Sequence, residues 1–172
     1  MRVLAIDTAL AACSAAVLDT DRRAIVATET LVMTRGHAEA VMPLIARVMA
    51  LAEIEFKHLD RIAVTAGPGS FTGLRVGISA ARGIALAAGK PAIGLTTLAG
   101  FAAPHVAADD TGLVVAAIDA RHNHVYLQVI GAGGRTLVQP KITPLQDAVR
   151  AALAGPARIV GSAAEMIAAA WP

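Results

Sequence analysis

One short phrase occurs twice in the chain, and it constrains the fold more than anything else in the sequence. Val3-Leu4-Ala5-Ile6-Asp7 returns as Val115-Ala116-Ala117-Ile118-Asp119, at an offset of 112 residues. An apolar run ending on an acid reads as a buried strand that delivers a carboxylate to the end of a sheet. The phrase brings its surroundings with it. Each copy continues through a turn into a second apolar strand, Ser14–Leu18 and then His124–Ile130. Third strands are expected at Ala24–Val32 and Arg135–Val138. Helices follow. Gly36–Ala52 carries Val41, Leu44, Ile45, Val48 and Leu51 at helical spacing, and a second helix opens at Thr143-Pro144 and runs to Leu153. Short strands at Arg61–Thr65 and Ala157–Val160 come next, each with a helix after it. The first of these helices, Thr72–Ala88, is capped by Ser70 or Thr72 and stopped by Gly89; the second runs from a Ser162 cap to Ala170. The first copy adds a strand at Pro91–Leu95 and a helix at Thr96–Ala103. The order β-β-β-α-β-α, stated twice, implies two α/β subdomains at 1–104 and 113–172, with a loop linker at 105–112.

That order resembles the ribonuclease-H-like subdomain, and two in tandem resemble the actin/Hsp70/sugar-kinase architecture. The second copy stops before its last strand and helix, so it is expected to be incomplete at the C-terminus. Hydrophobic residues make up 56% of the chain, enough for a substantial core, although 40 residues are alanine. Five aromatics are too few for a stacking platform on single-stranded nucleic acid, and a net charge of +2 is too balanced for a strong phosphate-binding field. Mean hydropathy is +0.61, but the longest tempting stretch, 91–108, is broken by Gly94, Gly100 and Pro104 and reads poorly as a membrane span. The run Leu10-Ala11-Ala12-Cys13 imitates a lipoprotein signal, yet Asp7 interrupts the apolar segment that such a signal needs. The expectation is a cytoplasmic protein with no membrane contact. Cys13, the only cysteine, is expected to be a buried thiol.

Four chemistries can be weighed against these residues. A nuclease of this fold gathers carboxylates around two metal ions. Asp7 and Glu39 are suitably placed, but the end of the fourth strand offers Thr65 and Ala66 instead of an acid. A kinase or ATPase of this fold lets glycine-containing hairpins approach phosphate. Here the hairpins read Asp7-Thr8-Ala9-Leu10-Ala11-Ala12-Cys13-Ser14 and Asp119-Ala120-Arg121-His122-Asn123, without glycine, so both are degenerate phosphate loops in which Asp7, Thr8, Ser14 and Asp119 are relics. A helical metal pair at i, i+4 would need a ligand four residues beyond His37, and that position is Val41. No local motif suggests a nucleophilic triad.

Binding is the fourth possibility. The helix after the Gly67-Pro68-Gly69 turn has one polar stripe, Arg75, Ser79 and Arg82, and is otherwise apolar or small. Gly73, Gly77 and Ala81 recur at i, i+4, i+8, a smooth line suited to close approach of another helix. The preceding helix carries a second stripe, Ala38, Met42, Ile45 and Met49. These two stripes are expected to form a partner surface; the alternative is that both pack inside the chain, one helix on the other.

The segments MRVLAIDTALAACSAAVLD, RGHAEAVMPLI, AGPGSFTGLRVGISAARGIALA and AAIDARHNHVYLQV resemble, in order, the bacterial TsaB family, also called YeaZ. The block Gly67-Pro68-Gly69-Ser70-Phe71-Thr72-Gly73 and its continuation to Gly77 is the specific part. The resemblance implies a non-catalytic scaffold subunit with no cofactor of its own. It would bind TsaD, the catalytic subunit that transfers threonylcarbamoyl to N6 of the adenosine 3′ of the anticodon in tRNAs reading A-starting codons. TsaE, a small ATPase, joins the assembly. ATP and a divalent metal would be used by those partners, tRNA would be met mainly through the complex, and the chain alone would pair with itself. The resemblance also implies contact through the first two long helices. The catalytic relatives carry His-x-x-x-His where this chain has His37 and Val41. A self-sufficient hydrolase, an ATPase, phosphatase or peptidase on the same fold, is the alternative.

Overall fold

A computed structural model describes residues 1–106 and 112–172 of the chain. They form two compact units, Met1–Thr96 and Thr97–Pro172.

In the first unit, β1 (Arg2–Asp7), β2 (Ala12–Asp19) and β3 (Ala24–Val32) form an antiparallel meander. Helix α1 (His37–Leu51) then returns the chain to β4 (Arg61–Thr65), parallel to β1, and α2 (Phe71–Ala88) carries it to β5 (Ala92–Leu95), parallel to β4. Parallel neighbours need such crossovers. The sheet order is β3-β2-β1-β4-β5. Both helices pack on one sheet face: Leu4, Ile6, Cys13, Val17 and Ile62 from the strands meet Leu44, Ile45 and Val48 of α1 and Ala81 and Ile84 of α2. Each buried Leu or Ile stabilises the unit by about 1.5–3 kcal/mol. Ser70 is the α2 cap, its Oγ accepting from the Gly73 N–H, and Gly89 ends the helix at φ 64°.

In the second unit, β6 (Leu113–Asp119), β7 (His124–Ile130), β8 (Thr136–Pro144) and β9 (Ala157–Val160) are ordered β8-β7-β6-β9. That is the order β3-β2-β1-β4 repeated, with β6 parallel to β9 and antiparallel to β7. Helices α4 (Leu145–Ala152) and α5 (Ala164–Ala169) supply Ala148, Val149, Ala152 and Ile167 to a core with Val115, Val125, Leu127 and Val129. The repeat read from the phrase at Val3 and Val115 is thus a repeat of topology. Each unit carries the ribonuclease-H-like strand order, the second without a fifth strand among the described residues, and two such α/β subdomains in one chain are the actin/Hsp70/sugar-kinase fold.

Several expectations shift. The division falls at 96/97 instead of 104. Helix α3 (Thr97–Val106) belongs with the second unit, where Leu98 and Ala102 are fully buried and the helix packs on β6 and β7. It runs past Pro104, and the rest of the expected linker, residues 107–111, lies outside the described residues. Strand β8 extends to Pro144. It is an edge strand, where a missing N–H is tolerated, so Thr143-Pro144 closes a strand instead of capping a helix through its hydroxyl. Thr143 Oγ1 donates to Asp147 Oδ2 at 3.3 Å. Ser162 does not cap α5 either; its Oγ accepts from the Asp119 N–H at 3.2 Å.

Candidate functional site: the first hairpin and the helix pair

The β1–β2 hairpin is fastened to the structure beneath it. Asp7 Oδ1 accepts from Thr65 Oγ1 at 2.7 Å and from the Ala9 N–H at 2.9 Å. Thr8 is fully buried, and its Oγ1 donates to the Gly73 carbonyl at 2.7 Å. The Ala9 carbonyl accepts from the Ser70 N–H at 2.7 Å. The Leu10 carbonyl accepts from His37 Nε2 at 3.1 Å; a carbonyl can only accept, so Nε2 carries the proton. His37 is itself buried at the start of α1. This histidine therefore serves as a fastening for the hairpin. Among the described residues no three His, Cys, Asp or Glu side chains gather as a metal set. Ser14 Oγ accepts from Thr30 Oγ1 at 3.0 Å, within the sheet.

Three glycines between Gly67 and Gly77 permit this contact. A Cβ on Gly69 would strike the Ala9 carbonyl, one on Gly73 the Thr8 carbonyl, and one on Gly77 the Thr8 hydroxyl. Gly73, Gly77 and Ala81 are all buried. The expectation that they form an outward groove for another helix is therefore corrected. The smooth line faces the chain's own first hairpin and β4, with Val64 Cγ2 3.5 Å from the Gly77 Cβ position. The α1 stripe divides in the same way. Ile45 and Met49 lie in the core, while Ala38 and Met42 are exposed.

What remains outside is a groove between α1 and α2. Two adjoining depressions, of about 470 and 570 Å³, share Met42, Ser79 and Ala80. One extends to Ala38, Phe71 and Arg75, the other to Gly83, Ala87 and Phe56. Phe71 is 74% exposed and Leu86 86%, large apolar areas to leave in water. The Arg75 guanidinium lies 5.2 Å from the centroid of the Phe71 ring, a cation–π contact that pins both side chains at the rim. Neither Phe71 nor Leu86 was singled out by spacing as a surface residue. Their signal in the sequence is that Phe71, Arg75, Arg82 and Leu86 fall on one helical face.

Cys13 sits under the hairpin, fully buried. Burial first, and the nearby Asp7 charge second, push its thiol above the ordinary range. In the second unit, the equivalent acid, Asp119, accepts from the Arg121 N–H at 2.7 Å, and Arg121, His122 and Asn123 turn the hairpin with three left-handed residues in a row.

A family model described as TsaD, tRNA N6-adenosine threonylcarbamoyltransferase, matches residues 25–170. The chain is 37% identical over 126 residues to the tRNA threonylcarbamoyladenosine biosynthesis protein TsaB of Escherichia coli, covering 73% of this chain and 53% of that one. It is 32% identical over 163 residues to an uncharacterised protein of Mycobacterium tuberculosis, covering 95% of this chain and 72% of that one. Among solved structures it is similar to YeaZ from Pseudomonas aeruginosa, with a TM-score of 0.72 at 31% identity over 83% of this chain and 67% of that one. The chain spans about half the length of the curated TsaB relatives it matches.

Proposed function

Because the chain belongs to the TsaD family of tRNA N6-adenosine threonylcarbamoyltransferases, on its TsaB/YeaZ branch, we propose that it is a non-catalytic subunit of the complex that installs threonylcarbamoyl on tRNA. The observation that carries this reading is the contrast between the two candidate sites. The hairpin that would have to approach a phosphate is fastened through Asp7, Thr8, Ala9 and Leu10. The face that could hold a partner, between α1 and α2, is apolar and open. The catalytic subunit TsaD would dock there, and TsaE would join through the assembled pair. In TsaD's absence a second copy of this chain would occupy the same face.

ATP and a divalent cation would belong to the partners' chemistry, and tRNA would be held mainly by the complex. The cytoplasm, where tRNA is modified, is the matching location; among the described residues no helix is long and apolar enough to cross a membrane.

Reconstitution tests the reading. Cognate TsaD, TsaE, tRNA and the threonylcarbamoyl adenylate should yield modified tRNA with this chain and little without it; equal yield in both reactions refutes the proposal. The competing hydrolase reading requires turnover by the isolated chain that disappears in Asp7→Asn.

A further inference from the structure

The two units treat the same edge of their sheets differently. In each, the third strand of the repeat, β3 or β8, is the outer one. An outer strand offers unpaired N–H and C=O groups to any other strand, and proteins blunt such edges with proline, lysine and bulges. Strand β8 carries Pro140, Lys141 and Pro144, and its register on β7 shifts at Leu127/Val129 and again at Val129/Ile130. Strand β3 has neither a proline nor a basic residue along its length. Its one irregularity on β2 lies at Val17/Leu18, which leaves Ala27–Val32 in unbroken register. Its single charge, Glu29, is already held by Arg47 of α1 through three hydrogen bonds.

The phase of the ladder tells which backbone groups are free. The Met33 N–H donates to the Ala11 carbonyl at 3.1 Å, so Met33 turns its backbone towards β2. Orientation alternates along an antiparallel strand. Leu31 and Glu29 therefore face β2 as well, and Thr28, Thr30 and Val32 direct their N–H and C=O groups outward. All three are exposed, Val32 at 89%, and no strand among the described residues pairs with that edge.

This edge is complementary to itself. A two-fold axis sets a strand antiparallel to its own copy. With the axis at Thr30, Thr30 meets Thr30 of the second copy and Thr28 meets Val32 of the second copy, so every outward group of the three finds a partner. Glu29 then lies opposite Leu31 of the second copy. An axis at Glu29 would set two carboxylates face to face, which destabilises a strand pair. An axis at Leu31 would leave Thr28 without a partner inside the strand.

We infer that β3 is an edge at which a second copy of this chain binds, antiparallel about a two-fold axis at Thr30, so that the two first-unit sheets become one continuous sheet. The contact is separate from the α1–α2 groove, none of whose lining residues lies on β3, and a pair joined at β3 leaves both grooves open to TsaD.

The experiment measures self-association of the full chain by sedimentation, with every chain carrying Ser79→Lys. That substitution puts a charge at an exposed position in the groove, so pairing there cannot stand in for pairing at β3. The Ser79→Lys chain should still form a dimer. Adding Thr30→Pro removes the outward N–H at the axis, at an edge position that tolerates proline, and should weaken the dimer at least about tenfold. Adding T28K/V32K instead sets lysine against lysine twice and should weaken it severalfold, whereas T28E/V32K sets Glu against Lys across the axis and should restore it. Urea melts check that each chain folds; if Thr30→Pro does not, the two charge variants decide. A Ser79→Lys chain that stays monomeric overturns the inference, and so does equal association of all the variants. Association by T28E/V32K as weak as that of T28K/V32K also overturns it, because the Thr30-centred register requires the two to differ.

Discussion

Gly77→Ala is the sharpest probe of how the first hairpin and α2 are joined. In an exposed helix interior, replacing Gly by Ala stabilises by about 1 kcal/mol. At Gly77 the new methyl would meet the Thr8 hydroxyl, while Thr8 Cβ and Val64 Cγ2, each 3.5 Å away, leave room for it. Relief requires Thr8 to move, which breaks the bond from its Oγ1 to the Gly73 carbonyl and leaves a buried hydroxyl unpaired. An unsatisfied buried group costs about 1–3 kcal/mol, and overpacking a further ~1–3 kcal/mol. Against a gain of about 1 kcal/mol, a net loss of roughly 2 kcal/mol is expected. Thr8→Ala alone loses a buried methyl and one hydrogen bond, about 2 kcal/mol together. The double variant removes the clash along with the hydroxyl, so Gly77→Ala regains its helical benefit and the pair should cost only about 1 kcal/mol, well below the sum of roughly 4 kcal/mol. Urea unfolding of the four proteins gives this cycle. Additive losses would refute the contact. So would a Gly77→Ala chain stabilised by about 1 kcal/mol that no longer binds TsaD, because the glycine line would then face outward.

Four further outcomes follow from the same contacts. Phe71→Ala should weaken TsaD binding by about tenfold or more while changing stability by less than about 0.5 kcal/mol, as judged by titration calorimetry and urea melts, since the ring is exposed in the free chain. His37→Ala takes the donor from the Leu10 carbonyl and should destabilise the fold by about 1–3 kcal/mol in the same melts. For acid stability, burial pushes the Asp19 carboxyl up, but the Arg22 and Asp21 N–H groups and the Arg2 and Arg22 charges outweigh it and hold the carboxyl low; the Arg47 hydrogen bonds hold Glu29 low. Stability from both is fully present above their unfolded values, near ~3.9 and ~4.3, and is lost as pH falls through the depressed native values, so Asp19→Asn and Glu29→Gln should each flatten the acid limb of a stability–pH curve. Cys13 should react with a maleimide only as the chain unfolds in urea, because its thiol is buried and held protonated; rapid labelling of the native protein would contradict that.

The elements and their order were legible because each rests on local signals: short apolar runs in β1 and β2, helical spacing in α1, and the Ser70 and Gly89 punctuation of α2. The facing of helices was less so. Spacing establishes that Gly73, Gly77 and Ala81 share a line, but small residues suit the approach of a partner helix and of the chain's own hairpin equally well. Only the tertiary placement of Thr8 on that line decides between them. The stripe Ala38–Met42–Ile45–Met49 is broad enough to straddle a boundary, so half of it turns into the core. Sequence proximity places helix α3 with the first unit; its alanines and Leu98 say only that it must be covered, and β6 and β7, which follow it in the chain, do the covering.

The placement of Thr8 also connects fold to function more firmly than the absence of hairpin glycines does. A loop without glycine could still approach a phosphate if it were free to move and to turn its backbone N–H groups outward. Here the Ala9 N–H is taken by Asp7, and the loop is held down by the Ala9 carbonyl on Ser70, the Leu10 carbonyl on His37 and the Thr8 hydroxyl on Gly73. Converting this hairpin into a phosphate cradle would require breaking several buried bonds, each worth roughly 0.5–1.5 kcal/mol net and more when a partner is left unsatisfied. The same bonds hold the N-terminal ends of α1 and α2, where His37 and Ser70 lie, to the one hairpin between β1 and β2. Fastening the hairpin therefore fixes the spacing between the two helices, and with it the groove bearing Met42 and Ser79. On this argument, loosening the hairpin by Thr8→Ala should weaken TsaD binding although Thr8 is nowhere exposed. A Thr8→Ala chain that remains folded and binds TsaD as tightly as the unaltered one would show the groove to be set by the helices alone.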